Sequence, residues 1–388
     1  SSQTDPAGRT RTWTYSPGET VIHNPDGTQT DEHFNGQLLT SITHAYQTSL
    51  AATTSFAYDR NGNVTAVTDP KGNVTSYSYD SKGNRTRATD PLDRITKWTY
   101  DSLNDVTSST DPTGVKTTYS YDSHGNLLSV ATPLVGTNQT QTITFTRGNS
   151  NHPGDVTAVT DPDGHTTSYG YDTAGDLTSV TDPLGNETTY GYDSIGRRTS
   201  MVSARGNSPG ANPASFTTTY AYDPLSRLTS ETDPLGHTQT WSYDGDGNVI
   251  SYTDQNNNTT TYSYDADNEL TTTTRPDTTT LQNSYDANGN LTRQTDGAGH
   301  TTNYGYDALE RVTSTTDPLS RKTTYAYDAA GNLTGVTDPQ GRTTSYGYDA
   351  ANQLTSISYS DGSTPNVTYG YDLDGRRTSM SDGTGASS

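Results

Sequence analysis

One phrase governs this chain. The stretch from Thr166 to Pro183 reads T-T-S-Y-G-Y-D-T-A-G-D-L-T-S-V-T-D-P, and most of the remaining sequence restates it. Its Tyr-Asp pair recurs at Tyr58-Asp59, Tyr79-Asp80, Tyr100-Asp101, Tyr121-Asp122, Tyr171-Asp172, Tyr192-Asp193 and Tyr222-Asp223. It continues at Tyr243-Asp244, Tyr264-Asp265, Tyr285-Asp286, Tyr306-Asp307, Tyr327-Asp328, Tyr348-Asp349 and Tyr371-Asp372. The spacing is 21 residues in most cases, with 50 between Tyr121 and Tyr171, 30 between Tyr192 and Tyr222, and 23 at the end. A fixed period near twenty residues marks a repeat architecture, in which each unit packs on its neighbours. The 388 residues are therefore read as one array rather than as two or three domains.

Within a unit, Thr167, Tyr169 and Tyr171 share one parity while Thr166, Ser168 and Gly170 share the other. That is the period of a strand with an aromatic face and a small, polar face. The β-branched and glycine content argues against helix. Asp172-Thr173-Ala174-Gly175 supplies turn chemistry, Leu177 to Thr181 is the returning strand, and Asp182-Pro183-Leu184-Gly185 is a second turn, with proline fixing φ at the corner. Each unit is thus a hairpin followed by a tight turn into the next, and the fold class is all-β: tandem 21-residue hairpins in a continuous, curved or spiralling antiparallel sheet. Leu177 and Val180 lie an odd number of residues apart, so either a bulge intervenes or they point to opposite faces. Opposite faces is the expectation adopted.

Hydrophobic residues make up only 27% of the chain and its formal net charge is -21, values that in an aperiodic sequence indicate disorder. The 28 tyrosines reverse that reading, because they recur in register and can bury a ring while the hydroxyl reaches water or a carbonyl. A core of stacked tyrosines with Leu and Val beside them is expected. There is no cysteine, which removes disulfides and thiolate metal sites. The acidic balance argues against nucleic acid and anionic membrane surfaces as partners. No apolar run is long enough to insert in a bilayer, and no charged-then-apolar signal segment opens the sequence. The chain begins at Ser1 in mid-phrase, with Thr4-Asp5-Pro6-Ala7-Gly8, and ends in another partial phrase, Ser381-Asp382-Gly383; it reads as a piece of a longer protein.

Along the array, residues 1–55 are divergent repeats, 56–131 regular, 132–154 an insertion with a degenerate repeat, 155–202 regular, 203–215 a loop insertion, 216–380 regular and 381–388 a cut end. In the first insertion, Ile143-Thr144-Phe145 reads as a strand whose Tyr-Asp has become Phe145-Thr146. About fifteen hairpins give roughly thirty strands, a sheet on the order of 140 Å long, and a ring of that circumference is roughly 45 Å across. Open sheets of this length curl, and a ring so wide leaves a lumen.

Candidate chemistry is sparse. Asp244-Gly245-Asp246-Gly247-Asn248 resembles the start of a calcium loop, but Val249 and Gln255 stand where that loop needs Gly and a bidentate Glu. His165, His237 and His300 each follow the Gly of the second turn and so belong to one rim, where Asn73, Arg94, Val115, Asn186, Arg321 and Arg342 stand in other units. A position so tolerant reads as turn surface, not as a zinc site. No nucleophile elbow, zinc-protease helix or phosphate-binding glycine loop occurs. The tyrosine rows, taken as a sugar platform, would need only a few units; their presence in nearly all of them fits a structural ladder. No residue is assigned a catalytic, cofactor-binding or metal-binding role, and the Tyr-Asp pairs are taken as the structural signature.

The phrase Tyr-x-Tyr-Asp-x-x-Gly-Asn-Leu-Thr-x-Val-Thr-Asp-Pro-x-Gly, as it stands at Tyr325 to Gly341, resembles the YD repeat of RHS proteins, teneurins and the B and C components of insecticidal toxin complexes, over about Phe56 to Asp372. The resemblance implies a hairpin ribbon spiralling into a hollow shell, which in the bacterial toxins encloses a C-terminal toxic segment and in teneurins belongs to an extracellular adhesion region. The self-cleaving core and effector that come after the repeats in the toxins are not visible in this sequence. A non-enzymatic shell segment of a secreted bacterial protein is therefore expected, without cofactor, its partner being the remainder of its own chain. The alternative is an extracellular scaffold binding a cell-surface glycan or protein.

Overall fold

The computed structural model describes residues 1–383 and 385–387. Among these residues thirty-six strands form one sheet. Each pairs antiparallel with the strands before and after it in sequence, from Ser2–Thr4 against Thr10–Ser16 to Arg377–Asp382 against Gly385–Ser387. The one other regular element among the described residues is a 3-10 turn at Pro213–Phe216. The divergent opening is built the same way, its strands being Thr10–Ser16, Glu19–His23, Gln29–Asn35, Leu38–His44 and Ala52–Tyr58.

The register inside a unit corrects one expectation. Tyr169 faces Val180 and Gly170 faces Ser179, but Tyr171 faces Leu177, so Thr178 is skipped as a bulge. The bulge absorbs one residue and turns the odd spacing of Leu177 and Val180 into an even one. Both therefore lie on the aromatic face with Tyr169 and Tyr171, not on opposite faces. The same shift recurs in the Tyr-Asp hairpins from Tyr58 opposite Val64 to Tyr371 opposite Arg377.

Both turns of a unit use one device. Asp172 Oδ1 accepts from the backbone N–H of Ala174 and Asp176 at 2.9 and 3.0 Å. At the proline corner, Asp182 Oδ1 accepts from Leu184 and Asn186, both at 2.9 Å. The fourth residue of each turn sits at positive φ, 94° for Gly175 and 83° for Gly185. Thr278 and Ser320 occupy the same place at 68° and 62°, where a side chain is strained.

A single sheet has no second layer to close a core. Among the described residues the hydrophobic side chains classed as buried are Ala45, Ala52 and Val367. The tyrosines form a half-buried ladder on one face, so the expected stacked core is a lining open on one side. The first insertion corrects a second detail: Phe145 pairs with Val159, the place of Tyr169 in the reference unit, and Arg147 pairs with Val156, the place of Tyr171. The Tyr of the Tyr-Asp pair is thus replaced by Arg147, not by Phe145. The loop at 203–215 folds back on the sheet, Asn207 Nδ2 donating to the Glu187 carbonyl at 2.8 Å.

Candidate functional site

Strands that all run between two rims place every Tyr-Asp turn on one rim and every proline turn on the other. The ribbon coils so that the proline rim of its first part meets the Tyr-Asp rim of its last. At Asp5-Pro6-Ala7-Gly8-Arg9, the Ala7 N–H donates to Asp267 Oδ1 at 3.0 Å. Arg9 pairs with Asp267 and with Glu269, the latter at 3.1 Å, and also donates to the Asp286 carbonyl in the next Tyr-Asp turn along. Further along, Lys71 Nζ lies 3.1 Å from Asp328 Oδ2, Arg94 Nη1 donates to Gln353 Oε1 at 2.7 Å, and Thr113 Oγ1 reaches Asp374 Oδ2 at 3.4 Å.

Each of these facing turns is separated by twenty-three strands: Thr10–Ser16 through Thr259–Tyr264 for Arg9, Val74–Tyr79 through Lys322–Tyr327 for Lys71. The number has to be odd, because an even count would bring a turn back to its own rim. Twenty-three strands at about 4.8 Å make a revolution of about 110 Å, roughly 35 Å across. The loop at 203–215 lengthens the chain between facing turns without adding a strand to the revolution, whereas the first insertion contributes one, Thr140–Arg147. No backbone-to-backbone hydrogen bond crosses this seam among the described residues; side chains and single backbone groups join it.

Contact across the seam changes the exposure of equivalent residues. The Arg9 and Arg94 side chains are 19% and 13% exposed, whereas Arg321 and Arg342, at the same turn position on the rim that faces no later revolution in this chain, are 57% and 64% exposed. Leu92 is 39% exposed at the seam; Leu184 and Leu235 on the open proline rim are 88% and 80%. The Arg9 guanidinium is held protonated by its hydrogen bond to Asp5. Burial works to raise the Asp328 carboxyl, yet Asn332 and Lys71 together hold it below its ordinary value.

The fourteen tyrosines of the Tyr-Asp pairs do one job. Each hydroxyl donates to a backbone carbonyl of the preceding hairpin, Tyr58 to Leu39, Tyr79 to Val64, Tyr171 to Val156, Tyr327 to Val312, Tyr371 to Leu354, at 2.6 to 3.0 Å throughout. Burial pushes the Tyr171 phenol above its ordinary range. Arg147 makes the same bond in the degenerate unit, Nη2 donating to the Leu127 carbonyl at 3.1 Å. Three Tyr-Asp turns add an arginine: Arg197, Arg227 and Arg311 lie over Tyr222, Tyr243 and Tyr327 at 5.1, 4.5 and 4.7 Å. Each also donates to the next turn's aspartate carbonyl at 2.9 Å.

The histidines lie on the proline rim, His165, His237 and His300 each beside the aspartate that opens its own turn, at 3.1, 2.9 and 2.9 Å. Asp244 Oδ1 is engaged by the N–H groups of Asp246 and Asn248, so the calcium-like stretch is a turn of the common kind. One cluster in the divergent opening is not evident in the sequence: ligand atoms of Glu19, Asp31 and His33 lie within 4.8 Å of one another. Asp-x-His in a strand was the available signal, but Glu19 joins it only once the pairing register is known.

The sequence profile of the RHS repeat family matches ten stretches, from 58–95 and 100–134 through 154–185 to 348–387, together more than half of the chain. The chain belongs to the RHS repeat family. No curated protein matches the RHS array over its sequence. Solved structures do match its fold. A crystal structure of TcdB2-TccC3 with Cdc42 aligns over 98% of the array at TM-score 0.71 and 17% identity. One of TcdB2-TccC3 alone aligns over 98% at 0.70 and 18%, and one without the hypervariable C-terminal region over 97% at 0.70 and 17%. The array covers 25 to 26% of those chains. The RHS array is thus an all-β repeat scaffold with the fold seen in toxin-complex chains. No helix of the described residues is long and apolar enough to cross a membrane.

Proposed function

We propose that this RHS array is a non-enzymatic wall segment of a hollow shell in a secreted bacterial protein, enclosing or presenting a segment that lies outside residues 1–388. The observation that carries the reading is the seam: a one-layer sheet that meets itself after twenty-three strands is a wall with an inside. Its titratable turn groups are spent on turn geometry and seam contacts, which supports a structural role. The toxin-complex chains that share the fold are several times longer, which is consistent with a wall continued by further chain.

The test is protease protection in the longer natural chain. Segments beyond residue 388 are expected to resist cleavage while the array is intact and to become cleavable when the seam is opened by Arg9→Glu with Lys71→Glu. Cleavage at equal rates in both proteins overturns enclosure.

A further inference from the structure

The geometry points to a divalent transition-metal site formed by Glu19, Asp31 and His33 on the divergent opening of the array. Glu19 and His33 are directly paired residues of the neighbouring strands Glu19–His23 and Gln29–Asn35. Asp31 lies two residues from His33 on the same strand, hence on the same face. The antiparallel register thus brings two carboxylates and an imidazole together, with one ligand atom from each inside 4.8 Å.

Asp31 is the observation that asks for a ligand. It is 2% exposed, the most thoroughly buried large side chain among the described residues, in a sheet that buries almost nothing else. Its Oδ2 lies 2.9 Å from His33 Nε2, but its Oδ1 is buried without a hydrogen-bond partner. The cross-strand neighbours on either side supply nothing: Val21 is apolar, and the Thr43 hydroxyl is engaged with that of Thr53 at 2.9 Å. A carboxylate buried with an orphaned oxygen costs free energy unless a cation or donor meets it. Glu19 is already oriented, Oε2 accepting from the Ser16 hydroxyl at 2.7 Å, the kind of support that metal-ligating carboxylates commonly have.

The donor set selects the metal. Two carboxylates balance a divalent charge, and an imidazole in the set favours zinc, copper, iron or nickel over the oxygen-seeking calcium, magnesium and manganese. His33 is about half exposed, which leaves the site an approach from solvent. The second cluster, Asp161, Asp163 and His165, is exposed and has no orphaned buried atom, so it serves as the internal control.

The experiment is calorimetric titration of the chelator-stripped chain with zinc chloride, with magnesium and calcium chloride as comparisons. One zinc per chain is expected, accompanied by a rise in melting temperature. Glu19→Gln is expected to weaken binding by about tenfold or more, and His33→Ala to abolish it. Asp163→Asn with His165→Ala is expected to leave it unchanged. Because His33→Ala removes the partner of a buried carboxylate and can itself unfold the strand pair, the milder Glu19→Gln decides. Absence of zinc binding at 100-fold excess, or binding indifferent to Glu19→Gln, overturns the site.

Discussion

Lys71 and Asp328, 257 residues apart in sequence, form an ion pair of 3.1 Å where one revolution of the ribbon rests on the next. Both side chains are more than two-thirds covered. A double-mutant cycle with Lys71→Ala and Asp328→Ala is expected to give a coupling energy of about 0.5–1 kcal/mol that shrinks in 1 M salt. Coupling below the error of the cycle would mean that the revolutions do not rest on each other there in solution.

The Tyr327 hydroxyl meets the Val312 carbonyl at 2.9 Å with Arg311 across the ring face. Tyr327→Phe leaves that carbonyl without its donor and is expected to cost about 1 kcal/mol. Tyr327→Ala also removes the half-buried ring and is expected to cost about 2–4 kcal/mol. His237→Ala, on the exposed rim, is expected to stay within about 0.5 kcal/mol. Denaturant melts rank the three, and equal losses in all of them would show the ladder to be free in solution.

Thr278 holds φ at 68°, a conformation costly for a β-branched residue, where most units have glycine. Thr278→Gly is expected to stabilise the array by about 0.5–1 kcal/mol, the relief of left-handed strain less the added freedom of glycine in the unfolded chain. A lower midpoint for the variant contradicts the strain argument.

The turn aspartates set the acid limit. The Asn126 side-chain amide, with the backbone N–H of the same residue, holds the Asp122 carboxyl down to about 2, and Asp59, Asp182 and Asp254 are lowered by the same arrangement with Asn63, Asn186 and Asn258. A folded value below the unfolded one means stability that is full above about pH 4 and is lost as the pH falls towards 2. Melting temperature is therefore expected to stay level from neutral to about pH 5 and to drop between about pH 4 and 2. A loss that begins near pH 6 would assign the acid limit to other groups.

The hairpin period, the aromatic face of the Tyr strand and both turns were legible in the sequence because local chemistry decides them: an Asp that opens a turn bonds the backbone two and four residues on. The bulge at Thr178 was not legible, since Leu177 and Val180 satisfy two geometries equally well until the partner strand fixes one. Arg147 was hidden for a related reason: its equivalence with Tyr171 is one of register and of the carbonyl it reaches, not of residue type. Contacts such as Arg9 with Glu269 depend on how many strands complete a revolution. Curvature accumulated over twenty-three strands decides that, and no single unit encodes it. The Glu19, Asp31 and His33 cluster lay in the stretch where the phrase is weakest, so the period gave no guide to which side chains meet.

The odd strand count also sets an order of events during synthesis. Every pairing in the sheet joins sequence neighbours and can form as the chain emerges, but the contacts of Arg9 across the seam cannot form until the turn at Asp265 to Glu269 exists to receive them. Until then the rim at Arg9 stands in water, and from that residue on each new hairpin locks onto one made long before. Closure advances like a zip fastener, one unit at a time, and removing a single repeat upstream shifts every later tooth by one place.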